Sequence, residues 1–158
     1  MAVLADTVAF AFARRFDAFL EQAHTLTTDL SEAEFWTRPF AYGNSAGHLL
    51  LHITGNLNYF IGTQIANTGY VRDRDREFTD TSRPPKADVL ADLTAAVAMA
   101  NRTIRAQTAD DWSALYSATG TDEQDRFAIV LRCAHHFHHH LGQILYIARE
   151  HAVNRVQS

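Results

Sequence analysis

His135-His136-Phe137-His138-His139-His140-Leu141-Gly142-Gln143-Ile144 decides how the rest of the chain is read. The stretch holds five of the nine histidines and lies well inside a chain of 158 residues, unlike an appended affinity tag. Residues 127–150 around it contain no proline and one glycine, which predicts a helix. Residues four apart share a helix face, so His135/His139 and His136/His140 are the candidate pairs. The apolar pattern chooses between them. Ile129, Cys133, His136, His140, Ile144 and Ile147 recur at steps of three and four, as a core-facing stripe does. Arg132, His135 and His139 fall on the competing face, which reads as solvent-exposed or as a helix–helix margin. His136 and His140 are therefore expected to point inward.

Two inward imidazoles one turn apart need a reason. Each carries one donor and one acceptor, and leaving either unpaired in a core costs about 1–3 kcal/mol. Hydrogen bonds to a facing helix would satisfy them, and so would a metal. A lone buried histidine is usually structural. An inward i,i+4 pair is rarer, and it is a common way for one helix to offer two nitrogen ligands. The third ligand must come from elsewhere.

Composition sets the frame. With 158 residues the chain reads as one domain over 1–158, large enough to bury a core of its own. Apolar residues make up 47% and charged residues 20%, ordinary for a globular protein. A formal net charge of −4 offers no basic patch for nucleic acid. One cysteine excludes an internal disulfide framework and fits a reducing compartment. No apolar run approaches the ~20 residues of a membrane span. The first residues mix Asp6, Arg14, Arg15 and Asp17 at helical spacing, unlike a signal peptide. The expected location is cytoplasmic.

Sparse glycine and proline divide the chain into four long helical patterns. The first covers about residues 4–27, with Phe12, Phe16, Phe19, Ala23 and Leu26 on one face. Ser31 and Glu34 form a capping-box pattern that starts a short helix ending near Trp36. Asn44 or Ser45 caps the second long helix, which continues to about Ala66 and stops at Asn67-Thr68-Gly69. A charged connection follows, Arg72-Asp73-Arg74-Asp75-Arg76-Glu77-Phe78, closed by Arg83-Pro84-Pro85. It reads as a solvated loop, or as a crossover or lid over a site. The third helix spans about 87–107, with Val89, Leu93, Val97, Ala100 and Ile104 inward. The fourth occupies about 122–151. The fold class is all-α, a four-helix bundle with crossover connections.

The second helix carries another i,i+4 pair, His48 and His52. Its face through Leu49, His52, Asn56 and Tyr59 is compatible with the core, and bundles build metal sites from side chains on facing helices. Three ligands leave an open position, as catalytic sites do, whereas four close a structural site. Spacing alone does not choose between His48 and His52.

Asn44-Ser45-Ala46-Gly47-His48-Leu49-Leu50-Leu51-His52-Ile53-Thr54-Gly55-Asn56 resembles the helix-two signature of the DinB-like (YfiT-like) metalloprotein superfamily. His136-Phe137-His138-His139-His140-Leu141-Gly142-Gln143-Ile144 resembles its helix-four signature, and Arg74-Asp75-Arg76-Glu77-Phe78 its connecting loop. The resemblance runs in order from about Asn44 to Glu150. It implies that His52, His136 and His140 bind a divalent metal, nickel or zinc, in an up-down-down-up bundle that in many members is a homodimer. It also implies a low-molecular-weight thiol as cosubstrate, since characterised members include transferases and isomerases that use mycothiol, bacillithiol or glutathione. His48 stands where this branch usually has asparagine, and it is the candidate extra ligand.

Around three imidazoles, Asn56 and Gln143 are each one turn or less from a ligand and are placed to orient it, with simple helix–helix hydrogen bonding as the plainer role. Cys133, one turn before His136, reads as a small hydrophobe rather than a soft ligand. Three functions stay open. The chain is a metal-dependent enzyme (an S-transferase with a small-molecule substrate or a hydrolase using metal-bound water), a metal-binding stress-response protein without turnover, or a helical dimer whose histidine cluster only stabilises the bundle. No carboxylate stands beside the histidines as a general base; Glu77 becomes the candidate catalytic residue if its loop folds over the site.

Overall fold

Long apolar runs at helical spacing fold here as helices, and short polar motifs set where they begin. A computed structural model describes residues 2–79 and 81–157; of the expected domain span, Met1, Asp80 and Ser158 lie outside the described residues. In chain order the elements are α1 (Ala2–Thr27), α2 (Glu32–Trp36), α3 (Ala46–Leu57), α4 (Arg76–Thr79), α5 (Lys86–Arg105), α6 (Ala109–Trp112) and α7 (Arg126–Gln157). A π-helical turn, Asn58–Thr63, continues α3. Among the described residues the fold is all-helical apart from one isolated antiparallel bridge, Leu115–Asp125. None of the described helices is long and apolar enough to cross a membrane.

The caps explain several boundaries. Ser31 accepts from the Glu34 backbone N–H while Glu34 reaches back to the Ser31 N–H, the reciprocal box expected at α2. Ser45, not Asn44, caps α3, its side chain accepting from the His48 N–H. A second box, Thr108 with Asp111, starts α6, a short helix beyond the expected end of the third pattern at about 107. The fourth pattern begins later than expected, at Arg126, because the bridge holds 115 and 125 extended and Asp125 Oδ1 accepts from the Ala128 N–H at 2.8 Å.

The second long helix was expected to run unbroken to Ala66. Instead its winding changes after Leu57, where Gln64 N–H reaches Tyr59 O and Ile65 N–H reaches Ile61 O, so the turn passes over the Phe60 carbonyl. The buried Tyr116 hydroxyl donates to that oxygen at 3.0 Å and satisfies it.

The core lies where the long helices meet. α1 packs against α5 and α7, and α3 packs against the same two. Phe16, Leu50, Ile53, Leu93, Ile104, Phe137 and Leu141 are fully buried in it. α3 is buried on nearly every side. It runs antiparallel to α7: Leu49 shares a cleft with Gln143 and Ile147, His52 meets His136, and Phe60 meets Arg132.

Candidate metal centre

α3 contributes one imidazole and α7 two, and their Nε2 atoms face each other. His52 Nε2 lies 2.9 Å from His136 Nε2, and His140 Nε2 lies 3.1 Å from it. One nitrogen from each ring falls within 4.8 Å of the others. His52 is buried, while His136 and His140 are half-buried. The expected inward stripe of α7 holds at Ile129, Cys133, Ile144 and Ile147, all buried, but its two histidines are not fully inward. Val130, Ala134, Phe137 and Leu141 are buried beside them, so the buried face is wider than the stripe, and the two histidines line its margin. His135 and His139 are exposed, as the competing face required.

Two of the three ring nitrogens turned away from this point have partners that fix the tautomers. His52 Nδ1 lies 2.7 Å from Glu77 Oε2, and a carboxylate only accepts, so His52 donates there and leaves a lone pair on Nε2. His140 Nδ1 donates to Gln143 Oε1 at 2.7 Å with the same result. Burial first, then the neighbouring histidines, hold the pKa of His136 down to about 2, so this imidazole is neutral at neutral pH. Burial likewise lowers His140 to about 4, partly opposed by its hydrogen bond to Gln143. Neutral imidazoles need lose no proton to bind a metal.

The donor set fits a borderline divalent ion. Three imidazole lone pairs aimed at one point are poor partners for each other, since only a shared proton could satisfy any pair. Nitrogen ligands about 2.0–2.1 Å from a tetrahedral ion stand roughly 3.3 Å apart, close to the spacing of these atoms. Carboxylate–histidine support of the kind Glu77 gives His52 is a common companion of such ligands.

The charged connection does fold over the centre, though part of it is the short helix α4 rather than loop. Glu77 is 7% exposed and both its oxygens are engaged. Arg72 donates from Nε to Oε1 at 2.7 Å and from Nη2 to Oε2 at 2.9 Å. Burial opposes ionisation of Glu77, but the His52 and Arg72 hydrogen bonds and the Arg72 charge outweigh it and hold its carboxyl below the ordinary value. A carboxylate so committed is a poor general base. The Phe78 ring closes over His52, centroids 4.7 Å apart. The segment reaches this position because Gly55 has no side chain: a Cβ there would overlap the Glu77 carboxylate.

The other candidates fall outside the converging nitrogens. His48 Nδ1 lies 2.6 Å from Ser45 Oγ, and its ring packs edge-on against Trp36. Asn56 is buried near the centre, and Gln143 holds His140. Cys133 is fully buried, and burial pushes its thiol up to about 12, so it stays protonated and packs as a hydrophobe. Tyr59 is half-buried, and Trp36 and Trp112 are core residues. Arg72 was not singled out in the sequence, since alternating Arg and Asp around it resemble a solvated run.

A sequence model described as the DinB superfamily matches residues 15–144. No curated protein and no solved structure gives a significant match.

Proposed function

The chain belongs to the DinB superfamily, and on that premise we propose that it is a divalent-metal protein of thiol S-transferase type, with His52, His136 and His140 as ligands. The single observation that carries the reading is the convergence of three imidazole Nε2 atoms, two of them held by Glu77 and Gln143 through the opposite nitrogen. Zinc and nickel suit three neutral imidazoles, and either tolerates a soft sulfur donor at an open position. Once bound, the ion would lower the pKa of a thiol or water placed there.

A thiol cosubstrate, of the mycothiol, bacillithiol or glutathione kind, is preferred over hydrolysis for a reason in the residues. Water starts from a far higher pKa than a thiol and so gains more from a free general base, and Glu77 is tied to His52 and Arg72. A thiol activated by a metal needs no such base. The Glu77–Arg72 pair then serves to hold His52, and the Phe78 ring keeps water from that side. The packing of α1 and α3 against α5 and α7 supports reading the fold as the up-down-down-up four-helix bundle, in one domain. Exposed apolar side chains on α1 and α7, among them Phe10 and Leu131, support a homodimer. A cytoplasmic setting fits a single buried cysteine.

The test is elemental analysis of untagged protein, wild type beside His52→Ala, His136→Ala and His140→Ala. About one ion per wild-type chain, lost from each variant, is expected. Loaded protein should then transfer low-molecular-weight thiols to electrophilic acceptors. Folded protein without metal would defeat the reading, and metal without thiol transfer would leave only its binding half.

A further inference from the structure

Two of the three imidazoles have a partner on the nitrogen that faces away from the centre; His136 does not. Its Nδ1 is buried without a hydrogen bond. Two more buried atoms share that condition nearby, Asn56 Oδ1 on α3 and Arg132 Nη1 on α7. Leaving each of them unsatisfied would cost about 1–3 kcal/mol.

The helix register brings the three together. Along the antiparallel contact, His52 meets His136 at 2.9 Å, and the Arg132 guanidinium stands 4.7 Å from the Phe60 ring centroid. Asn56 is four residues from both His52 and Phe60, and Arg132 is four from His136. Asn56 therefore faces the gap between Arg132 and His136 on the opposite helix.

The chemistry of the cluster is specific. His136 Nδ1–H and Arg132 Nη1–H are donors, and Asn56 Oδ1 is an acceptor. One water complements this set: it accepts from two groups and donates to the third. Buried waters typically make about three hydrogen bonds to otherwise unsatisfied groups. We propose that one enclosed water joins His136 Nδ1, Arg132 Nη1 and Asn56 Oδ1, with Asn56 the positioning residue that holds His136 as its Nδ1–H tautomer. Each imidazole then has its own acceptor on the far nitrogen: Glu77 for His52, Gln143 for His140, and Asn56 through water for His136. That role rests on the metal reading, whereas the hydrogen-bond cluster stands without it.

The experiment reads the tautomer in the full-length, chelator-treated chain, labelled with ¹⁵N at histidine, by long-range ¹H–¹⁵N correlation at neutral pH. Wild type is expected to show His136 protonated at Nδ1. Asn56→Leu should lose that preference and weaken zinc binding about 10–100-fold, and Asn56→Asp, which keeps an acceptor, should restore both. An Asn56→Leu protein with an unchanged tautomer overturns the proposal. If that variant does not fold, a high-resolution crystal structure of the wild type decides. Density for one water within hydrogen-bond reach of all three atoms supports the proposal, and its lack overturns it. An anomalous peak there after a bromide soak would mean an anion on a turned-over amide, and would also overturn it. The expected tautomer in a wild-type chain that binds no metal would remove the metal reading alone.

Discussion

Glu77 lies so close against Gly55 that a methyl group on Gly55 would occupy the space of its carboxylate. The contact ties the α4 segment to α3 at the point where Glu77 meets His52 Nδ1. Gly55→Ala should push the carboxylate away, costing about 1–3 kcal/mol as overpacking does and leaving His52 without its acceptor. Thermal melting and zinc titration check this. A variant with wild-type stability and affinity would mean the segment is free to move, contrary to the packing found here.

Glu77→Gln separates two roles for that side chain. It removes the charge facing the half-buried Arg72, and breaking a buried pair typically costs about 3–5 kcal/mol, an upper bound here. As an orienting group, the carboxylate should matter to metal affinity, about 10–100-fold, and little to turnover of metal-saturated protein. A large loss of turnover at saturating metal, with affinity intact, would instead make Glu77 a base. Parallel isothermal titration and initial-rate measurements distinguish the two.

His48→Ala should keep the metal stoichiometry of wild type. The His48 ring is engaged by Ser45 Oγ and packs on Trp36, away from the three converging nitrogens. The change should cost about 1–2 kcal/mol for the lost hydrogen bond and packing. Loss of metal by elemental analysis would bring His48 into the ligand set.

The residues legible in the sequence were those whose signal is local. The His136/His140 pair and the Ser31–Glu34 box depend on spacing along one helix, and the structure brings that pair beside His52 and forms that box. Less legible was anything set by packing between elements. Periodicity put His136 and His140 on the inward stripe, but the competition for the core is won by Phe137 and Leu141, which no pattern within α7 ranks. Arg72 looks like Arg74 and Arg76 in the sequence, and only the folding of its segment over α3 buries it against Glu77. The π-turn left no trace in composition, and the donor to its Phe60 carbonyl, the Tyr116 hydroxyl, arrives from a distant loop.

Acidity should loosen the metal-free protein in a defined window. His136 and His140 sit at about 2 and about 4 when folded, below the ordinary 6.5 they regain on unfolding. The unfolded chain therefore binds more protons as pH falls below 6.5. The stability contributed by the neutral rings is complete above that pH and declines toward 4 and below. In chelator, the melting temperature should be flat from pH 8 to 7 and fall steadily from about pH 6.5 downward. His140→Leu should flatten part of that slope. A melting temperature that does not change between pH 7 and 5 would contradict the neutral cluster.

Tyr116→Phe tests whether the π-turn supports the centre. The Phe60 carbonyl is passed over by the turn and has the Tyr116 hydroxyl as its donor, so removing that hydroxyl leaves a buried acceptor unpaired, at about 1–3 kcal/mol. The strain has an obvious outlet, rewinding of residues 58–63 toward ordinary α-helix, which would rotate the Phe60 ring. Arg132 and Arg72 both stand over that ring, at 4.7 and 5.8 Å. Rotation would thus disturb Arg72 beside Glu77 and Arg132 beside His136 together. The expected result is a lower melting temperature together with weaker zinc binding, although Tyr116 itself is not among the converging ligands. A drop in stability with unchanged zinc affinity would confine Tyr116 to the core and uncouple the turn from the histidines.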